Sequence, residues 1–381
     1  MPSLAPHSDA VPSSRIRRIH EIATALTTPY ISLHVGEPVA RIAPHIAEAA
    51  KATWDADETD YTANGGIWPL RAAVAEWLTG FGRRIDPEQV WVTNGGTQAL
   101  YQAIGMVIEP GDEVLVPDPG YTTFTMSTMY HSGVAVPYAL RAEAEFMPEI
   151  DRLEQLVTSR TRAIIVNSPS NPLGTVLDEQ QARAILDFAR RHDLWVISDE
   201  VYERLTWGVP HVSLLALDTD DRVMGVFSTS KTYAMTGIRV GFLVVPPGHS
   251  RTLGAIQEAV ISCINVPAQR AALAAITGDQ SHVEAEMAHY EGNLEAASEV
   301  LRAKGLHFRE PQGAFYLWID MSHVSDGDIL AWCERFLLER GVSVAPGSAF
   351  GAAGEGWIRV CYAGDRQELL EGLSRLPGRD T

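Results

Sequence analysis

The chain has 381 residues and a formal net charge of −18, from 30 Lys and Arg against 48 Asp and Glu. This acidic balance disfavours nucleic acid as a partner, because phosphate binding needs clustered cations. No apolar run approaches the roughly 18 residues of a membrane span, so we predict no membrane segment.

The amino terminus and the cysteines favour a cytoplasmic location. Residues Met1 to Arg18 are rich in Pro and Ser and lack the apolar stretch of a secretory signal. The three cysteines, Cys263, Cys333 and Cys361, are odd in number and widely spaced. That spacing matches neither a disulfide framework nor a metal site, so we predict free thiols in a reducing compartment and no metal.

Apolar periodicity predicts a mobile arm up to about residue 15 and then alternating helices and strands. In chain order these are helices at 16–26 and 42–54, a strand at 90–92, a helix at 97–108, strands at 113–116, 134–137 and 163–166, a helix at 178–191, strands at 194–197, 222–227 and 238–245, and a helical region at 250–276 broken near Pro267. The alternation predicts an α/β fold with a mostly parallel sheet flanked by helices.

The pattern changes after about residue 278. A long helix at 283–303 precedes a strand at 314–319, a helix at 326–340 and strands at 342–344 and 357–361. This order predicts a smaller α+β unit with a mixed or antiparallel sheet.

The most informative stretch is Ser228-Thr229-Ser230-Lys231-Thr232-Tyr233, which Arg239 follows closely. A partly desolvated lysine amine condenses readily with an aldehyde. Hydroxyls and a guanidinium suit a phosphate monoester. The combination suggests a covalently held phosphorylated aldehyde, pyridoxal 5′-phosphate (PLP), although a lysine beside Ser and Thr is by itself more often part of a solvated surface loop.

Two other apolar runs end in chemically capable residues. Asn171 follows the strand predicted at 163–166, and Asp199 and Tyr202 follow the strand predicted at 194–197. Ligands of parallel sheets bind at the carboxyl ends of the strands. We therefore expect these residues and Lys231 to converge on one crevice.

From about Ile31 to about Leu376 the chain resembles a fold-type-I, class I/II aminotransferase of the aspartate aminotransferase superfamily. The resemblance rests on an ordered set of motifs: Gly36-Glu37-Pro38, Tyr61-Thr62, Gly95-Gly96-Thr97-Gln98-Ala99-Leu100, Pro117-Asp118-Pro119-Gly120-Tyr121, Asn171-Pro172-Leu173-Gly174, Asp199 with Tyr202, Ser228 with Ser230 and Lys231, Arg239 with Gly241, and Arg359. It implies a large PLP-binding domain at 46–277 and a small domain formed by 1–45 and 278–381.

The resemblance assigns three catalytic residues. Lys231 would hold PLP as a Schiff base and then move the substrate's α-proton through a quinonoid intermediate. Asp199 would keep the pyridine nitrogen protonated. Tyr202 and Asn171 would donate hydrogen bonds to the phenolic oxygen. Asp199 could instead be a strand-end cap, and Asn171 only a turn residue.

The remaining cofactor contacts also follow from the resemblance. Gly96, Thr97, Ser228 and Arg239 would form the phosphate cup, since backbone N–H groups at a helix start bind anions. Tyr61 would reach the phosphate of the neighbouring subunit, which implies a homodimer with composite sites. Tyr121 would stack on the cofactor ring. Each assignment has a structural alternative: Gly95-Gly96-Thr97 could be a simple helix cap, Tyr121 a core aromatic and Tyr61 an ordinary aromatic.

Substrate contacts are predicted at Arg359, Gly36, Asn171 and His34. Arg359 would clamp the α-carboxylate, with a backbone N–H from Gly36; an internal salt bridge is the alternative. His34 is unusual for the family at this position. It is either a structural histidine or a second acid/base, as in PLP enzymes of this fold such as arginine oxidases.

These residues predict amino-group transfer from an L-amino acid to a 2-oxo acid in amino acid metabolism or biosynthesis. One alternative keeps PLP but oxidises, deaminates, eliminates from, cyclises or racemises a specialised amino acid. Another is a non-catalytic PLP-fold binding protein, which the complete lysine, aspartate and arginine set disfavours. The donor side chain stays open, and Trp68, Tyr121, Tyr233 and Tyr316 are candidate pocket or core residues.

Overall fold

A computed structural model describes residues 5–379 of the chain. Within that range the strands are Ile31–Ser32 (β1), Val90–Thr93 (β2), Glu113–Asp118 (β3), Val134–Ala139 (β4), Thr161–Asn167 (β5), Trp195–Asp199 (β6), Val223–Ser228 (β7), Gly241–Val244 (β8), Phe308–Arg309 (β9), Tyr316–Asp320 (β10), Val342–Ser343 (β11), Ala345–Pro346 (β12) and Trp357–Cys361 (β13).

The helices of the same range are Pro6–Ala10 (α1), Arg15–Ala25 (α2), Pro44–Asp55 (α3), Trp68–Thr79 (α4), Gly95–Val107 (α5), Thr123–Tyr130 (α6), Ile150–Leu156 (α7), Glu179–Arg191 (α8), Leu214–Leu217 (α9), Thr229–Thr232 (α10), Ser250–Val260 (α11), Val266–Thr277 (α12), Ser281–Ala303 (α13), Ser322–Ser325 (α14), Ile329–Arg340 (α15) and Arg366–Ser374 (α16).

The central sheet has seven strands in the order β2-β8-β7-β6-β5-β3-β4. Strands β7, β6, β5, β3 and β4 are mutually parallel, and β8 runs antiparallel to both β7 and β2. This confirms the predicted α/β fold with a mostly parallel sheet.

Alternate residues of the central strands pack on opposite faces of this sheet. Ile164 and Val196 belong to one buried apolar cluster, whereas Ile165 and Ile197 belong to another. A strand covered on both faces has no polar side, which is why these strands appear in the sequence as continuous apolar runs.

The smaller unit contains a four-stranded antiparallel sheet in the order β12-β13-β10-β9. The short strand β1 pairs in parallel with β11, where Ile31 lies opposite Val342. The amino-terminal segment thus contacts the carboxyl-terminal unit. The domain boundaries at residues 45 and 277 stay a prediction.

Several elements differ from the sequence prediction. Strand β3 does not stop before Pro117, because β5 pairs only with Glu113 to Leu115 and the missing proline N–H faces no strand on that side. Strand β8 begins three residues later than predicted, after Arg239, whose φ is +65°.

The predicted helix at 326–340 begins only at Ile329, since Asp326 and Gly327 have φ values of +50° and +78°. Of the predicted mobile arm, residues 1–4 lie outside the described residues and Pro6–Ala10 is helical. The periodicity analysis did not identify three longer helices, α4, α6 and α16, or five helices of seven residues or fewer, α1, α7, α9, α10 and α14.

Cys263, Cys333 and Cys361 are free thiols. In the part of the chain between residues 5 and 379, no helix combines the length and the apolar character needed to cross a bilayer.

Candidate active site

One cavity of about 570 Å³ opens at the carboxyl ends of three adjacent strands, β5, β6 and β7. These strands end at Asn167, Asp199 and Ser228, and Asn167 lies opposite Asp199 in register. The cavity is lined by nearly all the residues predicted to form the site: His34, Gly36, Gly96, Thr97, Tyr121, Asn171, Asp199, Tyr202, Ser228, Lys231, Arg239 and Arg359.

Tyr61 is the predicted site residue that does not join them. Its side chain is 91% exposed, and it does not line the cavity. Within one chain, therefore, Tyr61 makes no contribution to this site.

Lys231 lies on the one-turn helix α10, immediately after β7, and its Nζ donates a hydrogen bond to the Gly36 carbonyl at 2.7 Å. Burial lowers the pKa of Lys231 to about 8, and the positive charges of Arg359 and Arg239 act in the same direction. A larger share of this amine is thus neutral near physiological pH than in an ordinary lysine.

Asp199 is the last residue of β6 and is only 3% exposed. Among residues 5–379, the one hydrogen bond to its carboxyl group comes from the Val201 N–H at 3.4 Å, and this carboxyl group forms no ion pair. Burial raises the pKa of Asp199 to about 7. A buried carboxyl group that faces a cavity without a cationic partner suits a ligand with a positively charged N–H.

Tyr202 and Tyr316 form a buried pair whose hydroxyl oxygens are 2.7 Å apart. Burial raises the pKa of Tyr202 well above its ordinary value, and also raises that of Tyr316. Both phenols therefore stay neutral and can donate hydrogen bonds near neutral pH. Lys231 Nζ lies 5.9 Å from the centre of the Tyr202 ring.

The start of helix α5 faces Ser228 and Arg239. A Cβ added to Gly95, whose φ is +76°, would collide with the Arg239 guanidinium, and one on Gly96 would lie 3.8 Å from the Ser228 Cβ. Arg239 is held by a 2.7 Å hydrogen bond to the Thr236 carbonyl. Free backbone N–H groups, a hydroxyl and a guanidinium at one helix start form a cradle for a phosphate.

Arg359, on β13, is buried and held by three different segments. Its Nη1 donates to Asn171 Oδ1 at 3.0 Å and its Nη2 donates to the His34 carbonyl at 2.6 Å. Its guanidinium carbon lies 4.4 Å from the centre of the Tyr316 ring. Its Nε has no hydrogen-bond partner among residues 5–379, which leaves a buried N–H for an anion.

His34 is fully buried and engaged at both ring nitrogens. Nδ1 lies 2.8 Å from Ser343 Oγ, and Nε2 lies 3.3 Å from His20 Nδ1. Burial, followed by the charges of His20 and Arg359, lowers the pKa of His34 to about 4. A neutral imidazole with no free nitrogen favours the structural interpretation over a second acid/base.

The cavity also contains residues that the sequence analysis did not single out. Asn167 comes from the end of β5, and Arg17 and His20 come from helix α2. Of the four candidate pocket aromatics, Tyr121 and Tyr316 line the cavity, whereas Trp68 is exposed on α4 and Tyr233 is buried elsewhere.

Comparison with known proteins agrees with this geometry. The family model "Aminotransferase class I and II" matches residues 28–376. An aspartate aminotransferase of Pyrococcus abyssi is 36% identical over 97% of this chain and 96% of its own. An aromatic-amino-acid aminotransferase of Thermococcus litoralis is 35% identical over 98% and 97%.

A solved structure of Thermus thermophilus aspartate aminotransferase with maleate superimposes with a TM-score of 0.93 at 32% identity, over 98% of this chain and 99% of that one. The chain therefore belongs to the class I and II aminotransferase family. It is a PLP-dependent transferase that moves an amino group from an amino acid to a 2-oxo acid. No comparison favours the oxidase, lyase or cyclase alternative.

The pKa of Lys231 predicts how fast cofactor-free protein captures PLP. The neutral amine is the nucleophile, so the rate should rise with pH and level off above about 8 rather than near the ordinary lysine value of about 10.4. The measurement is cyanoborohydride trapping of PLP at a series of pH values, with peptide mass mapping of Lys231 and, for comparison, of Lys304. A rate still rising at pH 10 would contradict the assigned pKa.

Proposed function

We propose that this cavity transfers amino groups with PLP attached to Lys231 and with the substrate held by Arg359. One observation carries the proposal: the amine of Lys231, the carboxyl of Asp199 and the guanidinium of Arg359 all face the same cavity. The reaction needs three groups: a nucleophile for the PLP aldehyde, a carboxyl group that keeps the pyridine nitrogen protonated, and a cation that binds the substrate's α-carboxylate.

Eight residues of the cavity would hold the cofactor. Asp199 would accept the pyridinium N–H, and its lack of another cationic partner supports this role. The start of α5 with Gly96 and Thr97, together with Ser228 and Arg239, would hold the phosphate. Tyr121 would cover the ring, while Tyr202 and Asn171 would donate to the phenolic oxygen.

When bound, PLP withdraws electrons from the amino acid's α-carbon and so makes its hydrogen acidic. Lys231 Nζ is the group of this chain placed to take that proton and return it. A lysine with a pKa of about 8 is an effective acid and base near neutral pH. The Gly36 carbonyl accepts a hydrogen bond from the amine at 2.7 Å and so holds it beside the residue whose N–H would bind the substrate.

Arg359 would bind the substrate's α-carboxylate through its free Nε, with Asn171 and the Gly36 N–H beside it. Gly36 leaves this loop close to Tyr316, where a Cβ would collide with the phenol. His34 would contribute through its carbonyl, which holds the guanidinium. The relatives named for aspartate and for aromatic amino acids support an acidic or aromatic L-amino acid as donor.

We also propose that the protein works as a homodimer in the cytoplasm, in amino acid metabolism or biosynthesis. Tyr61, fully accessible on one chain, would complete the phosphate site of a second chain. The PLP contacts would then lie in a large domain at 46–277, and Arg359 in a small domain formed by 1–45 and 278–381.

Replacing Lys231 tests the proposal directly. The Lys231→Ala variant should lose covalent attachment of PLP after borohydride reduction and at least about a thousandfold of its transfer rate, since the amine acts as both nucleophile and base. Intact-protein mass and coupled assays measure the two. Lys304→Ala, far from the cavity, is the control, and a Lys231→Ala variant that keeps both properties would refute the assignment.

Hybrid dimers test the role of Tyr61. Tyr61→Ala and Lys231→Ala should each be impaired, yet a refolded mixture should regain activity. A mixed dimer has one site with Lys231 from one chain and Tyr61 from the other. The expected recovery is about a quarter of the wild-type rate for random pairing of the two chains, because half the dimers then carry one intact site of two. Absence of recovery in confirmed hybrids would exclude composite sites.

A further inference from the structure

The cavity has a second wall, formed by residues that have no part in holding the cofactor or the α-carboxylate. Helix α2 (Arg15–Ala25) lines it with Ile16, Arg17 and His20. Arg359 and Lys231 fix where the carboxylate and α-carbon of a substrate lie, so the substrate side chain must point toward the remaining lining. The face of α2 is part of that lining.

A chain of hydrogen bonds fixes the orientation of His20. The Ser343 hydroxyl donates to the Ile31 carbonyl at 3.2 Å, so its oxygen accepts from His34 Nδ1–H at 2.8 Å. His34 is neutral, and its Nε2 must then accept from His20 Nδ1–H at 3.3 Å. Ser32 Oγ, at 3.4 Å from His34 Nδ1, is the more distant partner.

This arrangement leaves one ring nitrogen of His20 available. Its Nδ1 is committed to His34 whether or not the ring is protonated, and no residue between 5 and 379 hydrogen-bonds to its Nε2. His20 is only partly buried and lines the cavity. The buried neutral His34 thus holds His20 in an orientation that leaves the Nε2 of His20 available to a ligand.

Arg17, one turn earlier on the same face, adds a positive charge. The neighbouring Arg18 pairs with Glu334, whereas Arg17 forms no ion pair within the described range. The other charged side chains of the cavity are Lys231, Arg239 and Arg359, against the single carboxyl of Asp199. The α2 side of the cavity therefore offers donors and positive charge, and no carboxylate.

We propose that His20, with Arg17, is a specificity-determining residue for the donor, and that the two select side chains ending in a carboxylate. His34 is a positioning residue, which acts by holding His20. This inference rests on the proposed function, since it places the substrate by Arg359 and Lys231. Ile16, Leu100 and Met126, also in the lining, would contact the aliphatic part of the substrate.

Steady-state kinetics with two classes of donor test the proposal. For His20→Leu and for Arg17→Gln, kcat/KM with L-aspartate and L-glutamate should fall about tenfold to hundredfold, mainly through KM, as expected for a lost hydrogen bond to a charged group. With L-phenylalanine and L-tyrosine the change should stay within about threefold. Equal falls for both classes, or no change in their ratio, would overturn the proposal.

Matched variants separate recognition from structural damage. Arg18→Gln removes a guanidinium from the outer face of the same helix and should leave both donor classes unchanged. The glutamine of His34→Gln can still accept a hydrogen bond from His20 and donate one to Ser343. This variant should therefore keep the wild-type ratio of kcat/KM for acidic donors to kcat/KM for aromatic donors, whereas His34→Leu should lower that ratio. A His34→Gln ratio as low as that of His34→Leu would show that His34 does not act by holding His20.

The two levels of the proposal fail in different ways. A wild-type protein that transfers no amino group from any donor refutes the proposed function. A wild type that transfers amino groups, with a donor ratio that His20→Leu and Arg17→Gln leave unchanged, refutes only the assignment of α2.

Discussion

The site depends on one buried guanidinium. Arg359 projects from β13 of the small antiparallel sheet, binds Asn171 beyond β5 of the central sheet and binds the carbonyl of His34 beyond β1. It has no ion pair with any residue from 5 to 379, although a buried charge is costly without a counterion. Three segments distant in sequence are therefore held around a cation whose remaining N–H suits a carboxylate ligand.

The opposite side of the cavity is arranged by burial as well. The pKa of Asp199 is raised to about 7 and that of Lys231 is lowered to about 8. Because the folded Asp199 binds protons more tightly than in the unfolded chain, its contribution to stability falls as pH rises from about 4 to 7. Lys231 is the reverse case, and its contribution rises with pH from about 8 to 10.4. Both groups thus reduce stability most between about pH 7 and 8, where they are most useful as an acid and a base.

The sequence could predict the cofactor side of the site because a parallel sheet brings strand ends together. Asn171, Asp199 and Lys231 each follow a continuous apolar run, and the register of β5, β6 and β7 places them side by side. Arg17 and His20 could not be recognised in this way. Polar residues on an amphipathic helix look solvated in sequence, and only the packing of α2 against the small unit shows which face lines the cavity. Tyr61 carries no signal beyond its motif, because its proposed partner is in another chain.

The most direct test is a double-mutant-type cycle in which the α-carboxylate of the substrate and the guanidinium of Arg359 are removed separately and together. The rate of amino transfer is measured in single turnovers for an L-amino acid and for the corresponding amine without the carboxylate, with wild type and with Arg359→Gln. Wild type should prefer the amino acid by about a hundredfold or more, and the variant should lose nearly all of that preference. A variant that still prefers the amino acid by the wild-type factor would show that Arg359 does not bind the carboxylate, and would contradict the account at its centre.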